Sequence, residues 1–250
     1  MKTADRFSNR VANYVKFRPG YPTAMMNLFT ERLGLTRDSS VADIGCGPGN
    51  SSVPFVEFGC RVFGVEPNEP MRRAASKAFS GDSNFVAVDG SAQDTGLEED
   101  SIDIVVAGQA FHWFNESAAV DEIRRIVKPG GYVALIWNER KLDATPFLKA
   151  YEELLIEFGT DYQVVRHDNL TRGGLSKTFG SQFELASYPN TQVFDLEGIT
   201  GRLRSSSYTP AEDQPAFRPM IQKLETIFAE HEESGRIQVL YDTNVFFAEL

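Results

Sequence analysis

Ser40-Val41-Ala42-Asp43-Ile44-Gly45-Cys46-Gly47-Pro48-Gly49-Asn50-Ser51-Ser52-Val53 joins a short apolar strand, Val41 to Ile44, to a helical pattern through three glycines. Glycine lets the backbone take positive φ and lets a ligand approach with no Cβ in the way. The helix that follows points its free N–H groups and positive dipole end at that ligand. Strand, glycine turn and helix together predict a nucleotide-type site at the carboxyl end of a parallel strand. The next strand, Val62 to Val65, ends at Glu66, whose carboxylate can accept hydrogen bonds from both hydroxyls of a ribose.

The spacing of the glycines narrows the ligand. The dinucleotide fingerprint of dehydrogenases asks for G-x-G-x-x-G/A, whereas here Gly49 comes one residue early and Asn50 fills the sixth position. Asp43, two residues before Gly45, also departs from that pattern. D-I-G-C-G-P-G followed by G-V-E-P-N resembles the class I S-adenosylmethionine-dependent methyltransferases. The resemblance implies an α/β, Rossmann-like, doubly wound sheet of seven strands, mostly parallel with an antiparallel terminal strand. It also implies that Asp43, Gly45, Cys46, Gly47, Gly49, Glu66 and Pro67 bind S-adenosylmethionine, with S-adenosylhomocysteine as product. Asn68 can cap a helix opened by Glu69 and Pro70, and Met71 then comes down beside the adenine or into the core.

The chain has 250 residues, 42 % hydrophobic, enough for one large domain or a core domain with a smaller cap. Its net charge of −10 argues against a large nucleic-acid footprint. No apolar run reaches the roughly 18 residues of a membrane span, and Met1 to Arg10 lacks the apolar core of a signal peptide. Cys46 and Cys60 are the only cysteines, expected reduced in a cytoplasmic chain. His112, His167 and His231 are scattered, with no metal-ligand spacing, so no metal is expected.

Four segments are expected within one compact unit: a helical lid at 1–38, the cofactor-binding core at 39–140, cap helices and a strand at 141–235, and the last sheet strand at 236–250. Asp5 to Phe17 has helical spacing and stops at Arg18-Pro19-Gly20-Tyr21-Pro22; a second helix runs from about Pro22 to Leu33. In the resembling family such helices lie over the cofactor. Tyr14 and Arg18 would then face cofactor or substrate; otherwise they are a core tyrosine and a solvated arginine. The first crossover helix is expected over Asn50 to Phe58. The third strand, Phe85 to Val88, runs into Gly90-Ser91-Ala92-Gln93, where the family has G-D-A-E or G-x-A-E around the adenine. Ser91, Ala92 and Gln93 keep the backbone contacts, while Asp89 or Asp94 is left to replace the missing acid.

The fourth strand, Ile102 to Ala107, delivers Gly108-Gln109-Ala110-Phe111-His112-Trp113-Phe114 to the edge where open α/β sheets place ligands. Aromatic rings can wall a sulfonium and exclude water. The stretch Q-A-F-H-W-F resembles the small-molecule branch of the family, the trans-aconitate type among them (methyltransferase domain type 11). Gln109 is assigned to the cofactor and Phe111, His112 and Trp113 to the substrate. His112 is the candidate general base, or a merely structural histidine. After a helix at Glu116 to Val127, Lys128-Pro129-Gly130-Gly131 reads as a stop, and Tyr132 to Trp137 as the fifth strand, ending at Asn138 beside the substrate.

Further on, Asp143 is expected to cap a helix over Ala144 to Phe158, and 159–181 reads as a loop. Phe183 to Leu196 reads as strand structure with a turn near Pro189-Asn190. Helices follow at Glu197 to Arg204 and Pro219 to Glu233, then a strand at Ile237 to Leu250. The function expected is methyl transfer to a small molecule, a carboxylic acid among the candidates, with Arg18, Arg202 or Arg204 as its cation. The rival readings are a non-catalytic cofactor-binding module, a nicotinamide-dependent oxidoreductase, and a methyltransferase acting on nucleic acid or protein.

Overall fold

The computed structural model describes residues 15–160, 162 and 171–250. Val41, Ala42, Asp43 and Ile44 are all buried, so β1 (Ser40–Ile44) is covered on both faces, as a central parallel strand must be. It pairs in parallel with β2 (Arg61–Val65), which pairs in turn with β3 (Phe85–Val88). On its other side β1 pairs with β4 (Ile102–Gly108), and β4 with β5 (Val127–Arg140), again in parallel. β7 (Ile237–Glu249) lies antiparallel between β5 and the edge strand β6 (Glu184–Phe194), giving a seven-stranded order 3-2-1-4-5-7-6. The chain moves outward from β1 to β3 and then returns to β4 on the far side. That reversal opens a crevice at the carboxyl ends of β1 and β4, where such sheets bind ligands.

Alternate residues feed the two faces. Val105 and Ala107 of β4, with Leu135 and Trp137 of β5, face α4 (Glu116–Ile126) and α6 (Arg172–Phe179). Ile104 and Val106, with Ala134 and Ile136, join Phe29 of α1 (Met26–Glu31) and Phe55 of α2 (Val53–Phe58). Beyond them Val239 and Tyr241 of β7 are covered by α5 (Pro146–Phe158), α7 (Leu196–Arg204) and α8 (Phe217–His231). The remaining helix, α3 (Glu69–Ala78), runs beside β3. Its start follows from local chemistry: Asn68 accepts a hydrogen bond from Met71 N–H at 3.0 Å, Glu69 complements the dipole, and Pro70 fits the first turn.

Several expected boundaries shift. The first crossover helix opens at Val53 rather than Asn50. β5 begins at Val127, directly after α4, and absorbs Lys128-Pro129-Gly130-Gly131. The ladder slips there, from Ile102 opposite Val127 to Ile104 opposite Tyr132, so the stop signal is a bulge rather than a loop. Gly131 is needed because a Cβ would lie 2.7 Å from Asp103 O. Thr145, not Asp143, caps α5 by accepting from Leu148 N–H at 3.2 Å. Arg172–Phe179 is a helix capped by Thr171, inside what reads as a loop, and it buries Leu175 and Phe179. β6 is continuous through Pro189 and Asn190; a sheet edge tolerates a proline that lacks an N–H. The expected helix over Asp5 to Phe17 lies outside the described residues as far as position 14.

Candidate active site

The glycine turn and β2 build one cradle. Glu66 Oε2 accepts from Gly47 N–H at 2.9 Å and Oε1 from Asn68 N–H at 2.8 Å. Each carboxylate oxygen keeps a further lone pair for a ligand. The turn is pinned by Gly45 N–H donating to Val65 O at 2.8 Å and Gly49 N–H to Cys46 O at 2.9 Å. Burial pushes the Glu66 carboxyl above its usual range, against the pull of the two N–H groups and of Arg72. Arg72 donates to Glu66 O at 2.7 Å and pairs with Asp89 at 2.9 Å.

Asp43 sits behind the cradle, fully buried, accepting from Ser51 and Ser52 hydroxyls at 2.7 Å each. Burial pushes its pKa up to about 6, opposed by the two hydroxyls and reinforced by the nearby Glu66 charge. Its second oxygen, Oδ1, is buried and finds no hydrogen-bond partner among the described residues. The glycines divide the labour. At Gly47, φ is +57° and a Cβ would meet open space, which leaves room for a ligand. At Gly49, φ is +97° and a Cβ would lie 2.5 Å from the Phe79 ring, so that glycine serves packing.

In front of the cradle lies a cavity of about 250 Å³. Gly45, Cys46, Gly47, Glu66, Pro67, Met71, Ser91, Ala92, Gln93, Gln109 and Trp113 line it, all of them read from the sequence as site residues. Asp43, Gly49, Arg18, Phe111, His112 and Asn138 stand outside the lining; Tyr14 lies outside the described residues. Phe111 turns into the core, 1 % exposed and packed on Phe114 and Phe179. Neither Asp89 nor Asp94 lines the cavity, Asp89 being engaged by Arg72. Residues Ser91 to Asp94 are instead closed by a backbone bridge, with Thr95 tied to Glu122 at 2.6 Å.

Sequence reading places the stretch from Gly108 to Phe114 at the ligand edge but assigns no role to Gly108, Ala110 or Phe114, and it misses Tyr21, Asn50, Ser51 and Asn68 in the lining. Gly108 shows why Tyr21 belongs: a Cβ there would lie 2.5 Å from the Tyr21 hydroxyl and 2.6 Å from Ser51 Cβ. The proline–glycine run before Tyr21 was the available signal. Gln109 is held at φ +57°, a strained position for a non-glycine residue. Its N–H donates to Ile136 O at 2.8 Å and its Nε2 to Asn138 O at 3.1 Å, and these bonds hold the strain in place. His112 lies half-buried in the 3₁₀ turn Phe111–Trp113, its ring 4.7 Å from that of Trp113.

Asn138 is shared by three segments: its Nδ2 donates to Gly20 O at 3.2 Å, and its Oδ1 accepts from Thr243 and from Asn190. Of the three arginines weighed for a carboxylate, Arg202 is 5 % exposed, while Arg18 is half-buried and donates to Ser205 O. Arg204 is exposed and pairs with Glu212 at 3.6 Å. Among the described residues no group of three or more His, Cys, Asp or Glu could hold a metal ion, and no helix is long and apolar enough to cross a membrane.

The cavity therefore couples a carboxylate clamped by two backbone N–H groups, an open glycine turn and a partly aromatic wall. These residues fit an adenosyl sulfonium: Glu66 has free lone pairs, Gly47 offers space, and Trp113 and Phe114 supply the rings. Residues 42–135 match the family described as a methyltransferase domain. The chain is 24 % identical over 247 residues to an uncharacterised methyltransferase-like protein of Schizosaccharomyces pombe, covering 97 % of this chain and 94 % of that one. It is 31 % identical over 134 residues to an uncharacterised methyltransferase of Mycobacterium tuberculosis, a match that spans 54 % of this chain and only 52 % of that relative. A solved chain from Anaeromyxobacter dehalogenans, provisionally assigned as a type II methyltransferase, superposes with a TM-score of 0.70 at 22 % identity, covering 93 % of this chain and 98 % of that one.

Proposed function

We propose that this chain, a class I S-adenosylmethionine-dependent methyltransferase, methylates a small molecule and, within that class, a carboxylic acid. The observation that carries the cofactor reading is the Glu66 carboxylate, clamped by Gly47 and Asn68 N–H groups at the lip of the cavity. When bound, S-adenosylmethionine supplies a sulfonium methyl that passes to the acceptor as its carbon–sulfur bond breaks, leaving S-adenosylhomocysteine.

The residues of this chain have to align and to exclude water rather than to activate. Glu66 holds the ribose. The backbone of Ser91 to Gln93 borders the adenine in place of the family's acidic side chain, and Met71 closes that side. Trp113 and Phe114 form the aromatic wall, and Gln109 fixes the end of β4 against Asn138. Residues 1–38 are read as the lid, an assignment supported by Tyr21 in the cavity wall and Asn138 bonded to Gly20 O. A carboxylate acceptor arrives ionised and needs no base. A hydroxyl or carbon acceptor would need one, and His112 is the residue assigned to that role. Cys46 and Cys60, free and buried, support a reducing, cytoplasmic setting.

Calorimetry of the purified chain with S-adenosylmethionine is expected to show a Kd on the order of micromolar. No binding would reject the reading. A screen of carboxylic acids and phenols, read by S-adenosylhomocysteine formation, is expected to turn over acids; binding with no turnover of any acceptor would leave a cofactor-binding module instead.

A further inference from the structure

The geometry points to Asn138 and Asn190 as positioning residues of the cofactor site: their amides grip one carbonyl, Gly20 O, and through it hold Tyr21 in the cavity wall, so that the grip sets how long the cofactor stays bound. This role presupposes the methyltransferase reading and gives Asn138 to the lid rather than to the acceptor.

A carbonyl oxygen offers two lone pairs, and Gly20 O meets two side-chain amides from different strands. Asn138 Nδ2 of β5 donates to it at 3.2 Å, and Asn190 Nδ2 of β6 at 2.9 Å. A third residue turns the amides this way. Thr243 of β7, fully buried, donates its hydroxyl to Asn138 Oδ1 at 2.5 Å and accepts from Asn190 Nδ2 at 3.2 Å. Asn190 Nδ2 also lies 3.1 Å from Asn138 Oδ1. With its oxygen fixed on Thr243, Asn138 presents its N–H groups to Gly20. An aspartate at position 190 would set an acceptor against Gly20 O and Asn138 Oδ1, both acceptors themselves, so the grip needs the amide.

Residues 17–21 form a strap that belongs to none of the seven strands, and side chains of the sheet fasten it. Upstream of Gly20, Gln192 Nε2 donates to Phe17 O at 3.2 Å, while its Oε1 accepts from the Tyr241 hydroxyl at 2.9 Å. On the cap side Arg18 donates to Ser205 O at 3.2 Å, and the Phe17 ring occupies the space that a side chain on Gly201 would need. Pro19 and Pro22 bracket Gly20 and Tyr21, each with its φ fixed by the ring. A strap this short and stiff passes the position of Gly20 on to Tyr21.

Tyr21 is where the hold acts. Its hydroxyl sits at the end of β4, where Gly108 leaves it room, and Tyr21, Gly108 and Ser51 all line the cavity. Asn138 meets the cavity from the other side as well: its backbone O accepts from Gln109 Nε2 at 3.1 Å, a bond that outlasts a change of side chain. One residue thus joins the strap to the strained Gln109, and the strap contact can be cut alone. Asn190 is the cleaner place to cut it, being half-buried on the edge strand and outside the cavity lining.

The test follows the full chain loaded with tritium-labelled S-adenosylmethionine and chased with an excess of the unlabelled compound. Asn190→Asp is expected to release label about tenfold faster than the wild type and Asn190→Ala about threefold faster, with association unchanged within about twofold. Hydrogen exchange is expected to quicken over residues 15–22 in both variants and to keep wild-type rates in β1 to β4. Ser187→Ala, on the same strand but bonded to Asn244 instead of the strap, is expected to match the wild type in both measurements. Release at the wild-type rate from Asn190→Asp, or from Asn190→Ala where the aspartate variant does not fold, overturns the proposal. So does exchange that quickens throughout β6 and β7 as much as in the strap, which marks Asn190 as a sheet residue only. No cofactor binding by the wild type sinks the methyltransferase reading and the grip with it; binding with an unchanged release rate sinks the grip alone.

Discussion

Two polar centres sit at the carboxyl edge of one sheet, and they are built in opposite ways. The cradle at β1 and β2 is acidic: Asp43 and Glu66, both buried, face backbone N–H groups and serine hydroxyls. The centre beneath α5 and α7 is basic: Arg140 and Arg202 face tyrosines. The cradle draws on residues 43 to 72, a contiguous run. The basic centre draws on β5, α5, α7 and β7, segments far apart in the chain. The cradle is thus local in the chain, whereas the basic cluster exists only where distant segments meet.

Removing Glu66 tests the comparison most severely. Glu66→Ala deletes the carboxylate proposed to hold the ribose and leaves Gly47 and Asn68 N–H groups without their partner. The expected loss is about 3 kcal/mol in S-adenosylmethionine binding, or roughly a hundredfold in Kd by calorimetry.

Titrating Asp43 comes next. Its folded pKa, about 6, lies above the ordinary 3.8, so the folded state holds the extra proton between those values. The stabilisation is full below about pH 4 and is lost as pH rises through 6. Asp43→Asn cannot titrate, so the stability gap between variant and wild type should move in the variant's favour by about 2 kcal/mol from pH 4 to 7.5, read by urea unfolding. A gap that stays flat across that range would mean Asp43 does not feel its burial.

Glu122 offers the opposite sign. Burial pushes its carboxyl up, but Arg125 and Thr95 overcome that and hold it at about 2. Its contribution is present above its ordinary value of 4.5 and fades as pH falls toward 2. Glu122→Gln should cost about 1–2 kcal/mol at pH 7 and loosen the loop from Ser91 to Thr95. The smallest effect is expected from Gly47→Val, where no clash arises and only the φ of +57° is strained. A cost of about 1 kcal/mol in stability should accompany a measurable loss of cofactor affinity as the side chain enters the open side of the cradle.

The legibility of the chain follows the same division. β1 to β4, the Asn68 cap and the cavity-lining run from Gly45 to Met71 could be read from residues near one another, because glycine turns, caps and strand ends are local chemistry. Tyr21 was missed because only the packing of Gly108 brings it to the wall. Phe111 was read as a substrate contact, since an aromatic run does not say which ring turns inward. The continuous β6 was read with a turn, because a proline says turn unless the strand is known to lie at an edge.

By itself the sequence determined the place of the cradle, since apolar strand runs, three glycines and a downstream glutamate act over short stretches of chain, while the doubly wound sheet was implied by resemblance. Only the tertiary structure decided which side chains line the cavity and which arginines are buried together. Burial, shared charge and an unmatched hydroxyl arise when distant segments exclude water from one another, and no residue carries that information alone.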